Sequence, residues 1–95
     1  MRRNQTSIYQ AIRTRYHGPS DVRGSRIVAR AEAGSVTVGY DHSLNLSENH
    51  AAAARVLIAK FGWDGHGPYF GGVFNSDYYW VSVPSEMLKE GGEHT

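Results

Sequence analysis

One stretch of helical periodicity, set between segments that alternate like strands, most constrains how this chain can fold. Residues 51–61 are rich in helix-forming side chains, and their apolar members recur at the spacing of one helix face. This apolar stripe consists of Ala54, Leu57, Ile58 and Phe61. Ser47 is the expected N-cap, and Gly62 is the expected C-terminal stop. The spacing therefore predicts one amphipathic helix that must bury its stripe against another part of the chain.

Five segments outside the helix have the alternation, or the β-branched and aromatic content, of β-strands. Three precede the helix, at residues 8–16, 26–33 and 36–40, and two follow it, at residues 69–74 and 78–83. The connections within each group contain Gly, Pro, Asn and Ser, which favour chain reversals and antiparallel pairing. The order β-β-β-α-β-β predicts an α+β fold, in which one helix packs on one face of an antiparallel β-sheet.

The length of the chain and its lack of cysteine limit how the fold is stabilised. Ninety-five residues suffice for one core, so we expect a single domain over residues 1–95, with a flexible arm at 1–7 and a flexible tail at 85–95. Without cysteine, neither a disulfide nor a thiolate-bound zinc contributes. No stretch has the apolar length of a membrane span or the pattern of a signal peptide. We therefore expect a cytoplasmic protein with no membrane partner.

The net charge of +1 hides a strong asymmetry along the chain. Residues 1–30 contain seven arginines and one aspartate, a balance of +6, whereas residues 31–95 contain three basic and eight acidic residues, a balance of −5. Every basic residue in the first part is arginine, whose planar donor group suits phosphate and carboxylate and stacks on aromatic rings. The front of the chain therefore indicates a recognition surface, with a solvated strand face as the equally weighted alternative.

Alternation turns this asymmetry into a prediction about one face of the sheet. It directs Ile12 and Ile27 toward the core and the strand arginines away from the helix. In the last strand it is expected to direct Tyr79, Val81 and Val83 toward the core and Tyr78 and Trp80 to the other side. The predicted binding residues are therefore Arg13, Arg15, Arg23, Arg26, Arg30, Tyr78 and Trp80, with Arg23 in the loop beside the first two strands.

No set of residues in the sequence predicts catalysis, a metal ion or a cofactor. His42 and His50 flank the start of the helix but lack the close pairing of helical zinc ligands. The serines occupy turn and cap positions, and the glycine-bearing loops at 22–26 and 65–67 lack the lysine and the strand-to-helix setting of a phosphate-binding loop. We therefore expect a protein that is not an enzyme. An enzyme using His17, Asp41, His42 or His50 is the least favoured alternative.

The run IRTRYHGP at residues 12–19, with RGSR at 23–26, YDH at 40–42 and ENHAAA at 48–53, resembles short proteins encoded by phages and other mobile elements. The resemblance covers about residues 12–63 and carries over no catalytic residues. Small proteins of this kind include anti-CRISPR proteins, which block a large complex by surface contact. The resemblance thus implies an inhibitor of a host nucleic-acid-handling defence complex in the bacterial cytoplasm.

Two functions of different classes remain open on the sequence, and the first is favoured because the resemblance supports it. In the first, the chain inhibits a host protein or ribonucleoprotein complex by surface contact. In the second, it binds DNA or RNA directly through an arginine-rich sheet face. An acidic protein surface and a nucleic acid both account for the arginines. A homodimer formed through an edge strand at residues 8–16 is also open.

Overall fold

The computed structural model describes residues 10–66 and 68–83. Its elements, in chain order, are β1 (Ile12–His17), β2 (Arg26–Ala31), β3 (Gly34–Gly39), α1 (Leu46–Lys60), a short 3₁₀ helix (Trp63–His66), β4 (Tyr69–Phe74) and β5 (Asp77–Ser82). The predicted α+β fold is confirmed, with five antiparallel strands and one α-helix between the third and fourth strands. The predicted arm at 1–7, the predicted tail at 85–95 and residues 8 and 9 of the first predicted strand lie outside the described residues.

The five strands form one sheet in the order β3-β2-β1-β5-β4. β1 pairs with β2 on one side and with β5 on the other, where Ile12 stands opposite Trp80. β1 is therefore the central strand, and β3 and β4 are the edges. The prediction that the first strand is an edge strand is wrong, because β5 pairs with it at Ile12, Arg13 and Thr14. The homodimer itself stays a prediction.

Helix α1 packs on one face of the sheet, across β1, β2 and β3. The buried apolar side chains beneath it are Ile12, Ile27, Ala29, Ala31, Ala53, Ala54 and Leu57. Ile58 and Phe61 pack at the margin of this core, so the predicted apolar stripe is confirmed. Two of the three buried apolar residues of α1 are alanines, and their small side chains let α1 lie close to the strands.

Helix α1 begins earlier than predicted, and its N-cap is Asn45 rather than Ser47. The Asn45 side chain accepts a hydrogen bond from the Glu48 backbone N–H at 2.8 Å, and Glu48 Oε1 accepts one from the Asn45 N–H at 2.9 Å. This capping box satisfies two N–H groups that the start of a helix leaves unpaired. At the other end, Gly62 follows the helix with a φ of 69°, as a C-terminal glycine is expected to.

Helix α1 has 15 residues. None of the helices in the described part of the chain has the length and apolar content needed to cross a membrane.

Candidate functional site

The four strand arginines share the sheet face opposite α1, as the alternation predicts. Arg13 stands directly opposite Arg30, while Arg15 and Arg26 follow at positions of the same parity in β1 and β2. Of the residues that alternate with them, Ile12, Thr14, Ile27 and Ala29 are buried on the side of α1. We call this surface the open face. It consists of Arg13, Arg15, His17, Arg26, Val28, Arg30, Ser35, Thr37, Phe70, Phe74, Asp77, Tyr79 and Val81.

One ion pair neutralises part of the charge of the open face. Arg15 Nη2 donates to Asp77 Oδ2 at 2.7 Å, and Arg15 Nε lies 3.1 Å from each carboxylate oxygen. Asp77 is buried, and the hydrogen bond from Arg15 holds its pKa below the ordinary carboxyl value. Within residues 10–66 and 68–83 this is the one ion pair, so Arg13, Arg26 and Arg30 have no carboxylate partner there.

Arg13 and Arg30 place like charges at directly opposed positions of β1 and β2. Side chains at such positions have Cβ atoms about 5 Å apart, so their repulsion opposes folding. Arg13 is half-buried, and its Nε is enclosed without a hydrogen-bond partner among the described residues. An anion lying across both guanidinium groups would reduce this repulsion.

Three partly exposed aromatic side chains share the open face with the arginines. Tyr79 stands opposite Arg13 across the β5–β1 pairing. Phe70 and Phe74 lie on β4, one on each side of Gly72, which stands opposite Tyr79. The exposed fractions are 37% for Tyr79, 51% for Phe70 and 68% for Phe74. Because Gly72 puts no side chain between the rings, they line a shallow apolar surface beside the charged one.

Tyr78 and Trp80 lie on the helix side of the sheet, so the prediction that they share the face of the arginines is wrong. Tyr78 stacks on His50 of α1 with ring centroids 4.0 Å apart. Trp80 Nε1 donates a hydrogen bond to Thr14 Oγ1 at 3.0 Å. The indole also lies over Gly71, where an added Cβ would come within 2.5 Å of a ring carbon.

The alternation of inward-facing and outward-facing side chains in β5 is thus shifted by one residue from the predicted one. Tyr79 and Val81, which were expected in the core, face the open side, and Val83 lies beyond the end of β5. Residues 78–81 read YYWV and contain no charged or strongly polar member that would mark one side of the strand. Sequence reasoning therefore missed Tyr79 as a surface residue. Gly71 in the neighbouring strand could have indicated the correct face for Trp80, because a position without a side chain leaves room for a large ring.

A buried polar cluster fixes the orientation of β5 against α1. His50 is fully buried, and its Nδ1 lies 2.7 Å from Thr14 Oγ1, the same oxygen that accepts from Trp80. Burial lowers the pKa of His50, which keeps the imidazole neutral at neutral pH. His50 is therefore a structural residue, which packs in the core and holds β1 and β5 against α1. In the described part of the chain, no three His, Asp or Glu side chains come together as metal ligands would.

Arg23 lies in the β1–β2 loop, as predicted, beside the open face rather than on it. Its turn is closed by the Ser20 N–H, which donates to the Arg23 carbonyl at 2.7 Å, and by Ser20 Oγ, which accepts from the Arg23 N–H at 3.2 Å. Arg23 lines a groove that includes Arg26 of the open face. We call it the corner groove, and its residues are Arg23, Gly24, Ser25, Arg26, Thr37, Gly39, Tyr40 and His42.

Comparison with known proteins adds no relative to this description. No family model, no curated protein and no solved structure matches the chain. The function therefore rests on the chemistry of the open face and of the corner groove.

Proposed function

We propose that this chain is a non-enzymatic binding protein that holds single-stranded nucleic acid on the open face. The observation that carries the proposal is the presence, on one surface, of exposed aromatic rings and of arginines that have no carboxylate partner within residues 10–66 and 68–83. Arg13 and Arg30 supply the first group, and Tyr79, Phe70 and Phe74 supply the second. Guanidinium groups bind phosphate, and aromatic rings stack on bases of any identity.

The two kinds of side chain occupy different halves of the open face. The arginines lie on β1 and β2, and the rings lie on β4 and β5. A single strand carries its phosphates on one side of the sugar and its bases on the other, so it can contact both halves at once. We therefore expect binding that tolerates many sequences and that weakens as the salt concentration rises.

The inhibitor function that the sequence implies stays a prediction. An acidic surface on a host protein or ribonucleoprotein complex would also meet the arginines of the open face. We favour nucleic acid because unstacked bases are the natural partners of three exposed rings that stand beside phosphate-binding groups. Because both functions use the same face, one set of variants serves to test them.

The test measures fluorescence anisotropy of a labelled single strand of about ten nucleotides at low salt. Arg30→Gln is compared with Arg55→Gln, which removes the same charge from the exposed surface of α1 on the other side of the sheet. Phe74→Ala is compared with Val56→Ala, another exposed apolar side chain on α1. We expect Arg30→Gln to weaken binding several-fold, and Phe74→Ala to weaken it about fivefold or more. Both α1 variants should bind like the original chain.

Two results would contradict the proposal. One is the absence of binding to any single-stranded DNA or RNA at low salt. The other is equal affinity of the Phe74→Ala and Val56→Ala variants. Polyglutamate serves as a second ligand: tighter binding to it than to nucleic acid, weakened by Arg30→Gln and unaffected by Phe74→Ala, would favour an acidic protein partner instead.

A further inference from the structure

The corner groove is a concave feature rich in hydrogen-bond donors. Binding on the open face alone gives it no role. Its volume is about 540 Å³, which is within the range of sites for small molecules. Its polar side chains are those of Arg23, Arg26, His42, Ser25, Thr37 and Tyr40, and no carboxylate of the described residues lines it. A groove that presents two guanidinium groups, an imidazole and several hydroxyls has the chemistry of an anion site.

The two guanidinium groups of the corner groove keep donors for a ligand. Arg26 Nη1 donates to the carbonyls of Gly18 at 3.4 Å and Gly24 at 3.3 Å, which orients the group and leaves its Nε and Nη2 donors unengaged by the described residues. Arg23 is exposed, and its side chain has no hydrogen bond or ion pair to any described residue. Neither group is needed to neutralise a carboxylate of the described chain.

The aromatic residues beside the loop hold the wall of the groove in place. The ring centroid of Tyr40 lies 5.6 Å from that of Tyr16 and 5.1 Å from that of His42. The backbone N–H of Tyr40 donates a hydrogen bond to the Ser25 carbonyl at 3.0 Å. Asp41 adjoins His42, but its carboxylate accepts hydrogen bonds from the hydroxyl and the N–H of Ser43, at 2.6 Å and 2.9 Å. The Asp41 carboxylate is thus engaged by Ser43, and Asp41 is not among the described residues that line the groove.

We propose that the corner groove binds the terminal phosphate of a nucleic-acid strand that lies on the open face. This inference rests on the proposed function, because Arg26 and Thr37 belong to both surfaces and connect them. A terminal phosphate monoester carries about −1.5 to −2 charges at neutral pH, compared with one for an internal diester, and offers three acceptor oxygens. The groove ends at the edge strand β3, where a strand crossing the sheet from the rings on β4 and β5 would terminate.

The experiment compares three forms of one labelled oligonucleotide of about ten nucleotides: with a 5′-phosphate, with a 3′-phosphate and with hydroxyl groups at both ends. We expect one phosphorylated form to bind roughly tenfold more tightly than the hydroxyl form. In Arg23→Gln and in His42→Asn this ratio of affinities should fall toward one. Arg55→Gln, on α1, is the charge-matched control and should keep the ratio.

The outcomes separate this inference from the proposed function. Oligonucleotides that bind with no preference for a terminal phosphate would overturn the groove inference and leave the open-face proposal standing. Failure of every oligonucleotide to bind would overturn the proposed function itself. Inorganic phosphate and a nucleoside monophosphate are added as competitors. If either binds as tightly as the phosphorylated oligonucleotide, the ligand is a free phosphate compound, and the assignment to a strand end is wrong.

Discussion

Asp77 is the residue of the open face whose effects on stability and on binding oppose each other. Its buried carboxylate pairs with Arg15 and ties β5 to the central strand. The same carboxylate is the one negative charge among the residues that define the open face, where it repels phosphate and occupies a guanidinium group. The Arg15–Asp77 ion pair is therefore expected to stabilise the fold and to weaken the binding of phosphate.

We expect Asp77→Asn to destabilise the fold and to tighten binding to a single-stranded oligonucleotide. Asparagine keeps the shape of the side chain but loses the charge-assisted hydrogen bonds from Arg15. The measurements are the midpoint of urea unfolding and the anisotropy titration at the same low salt concentration. Affinity that falls in step with stability would contradict this expectation, because damage to the fold does not strengthen binding.

The pH dependence of the same variant follows from the direction of the pKa shift. The pKa of Asp77 in the folded chain is lowered from 3.8, chiefly by the hydrogen bond from Arg15. The ion pair therefore stabilises the fold fully above the ordinary carboxyl pKa, and this contribution is lost as the pH falls through the lowered value. The free energy of unfolding of the original chain and that of Asp77→Asn should accordingly differ at about pH 7 and converge in strong acid.

At the scale of elements, the β4–β5 turn is held in an unfavourable backbone conformation. Asn75 and Ser76 both have positive φ, 53° and 72°, which is the geometry of a two-residue type I′ hairpin turn. Asparagine tolerates the left-handed region, but serine does so less readily than glycine, whose lack of a Cβ removes the clash. Asn-Gly is accordingly the favoured sequence for such a turn.

We expect Ser76→Gly to raise the free energy of unfolding by about 0.5–1 kcal/mol, since relief of strain exceeds the added entropy of the unfolded chain. Ala33→Gly in the β2–β3 turn is the control, because Ala33 does not have positive φ and glycine there should not stabilise. Chemical denaturation of both variants gives the comparison. A lower free energy of unfolding in Ser76→Gly would contradict this expectation, because it would show that the serine side chain stabilises the turn by more than its backbone strain costs.

Elements that carry a clear polar and apolar alternation are predictable from this sequence, and those that lack it are not. Arginines mark the outer side of β1 and β2, so alternation assigned four of the predicted binding residues to the correct face of the sheet. Residues 78–81 have no such mark, and the frame of β5 follows instead from the contacts of Tyr78 and Trp80 with His50 and Thr14, which lie far away in sequence. The N-cap was misassigned because Asn45 and Ser47 both suit that position. The Asn45–Glu48 spacing of a capping box distinguishes them.

At the scale of the whole molecule, the fold gathers four arginines from the first part of the chain onto one face of the sheet. β1 and β2 bring arginines to the open face, whereas Asp41, Glu48 and Asp64 lie outside it. The net charge of +1 is too small to attract a polyanion from a distance. We therefore expect the proposed binding to depend on local contacts of the open face, and the number of those contacts is measurable.

The number of contacts between arginine and phosphate can be measured from the dependence of the binding affinity on salt concentration. Each phosphate neutralised on a single strand contributes about −0.7 to the slope of log affinity against log salt. Arg13, Arg26 and Arg30 have no carboxylate partner among the described residues, so an oligonucleotide with hydroxyl ends should give a slope of about −2.

The variants should then separate charge from stacking. Arg30→Gln should reduce the magnitude of the slope by about 0.7, and Asp77→Asn should increase it by a similar amount because it releases Arg15. Phe74→Ala should weaken binding at every salt concentration without changing the slope, since stacking on a ring releases no counterions. Titrations over a salt series give all four slopes. A slope near zero for the original chain, or an equal change of slope in Phe74→Ala and Arg30→Gln, would contradict the division of the open face into a phosphate-binding half and a base-stacking half.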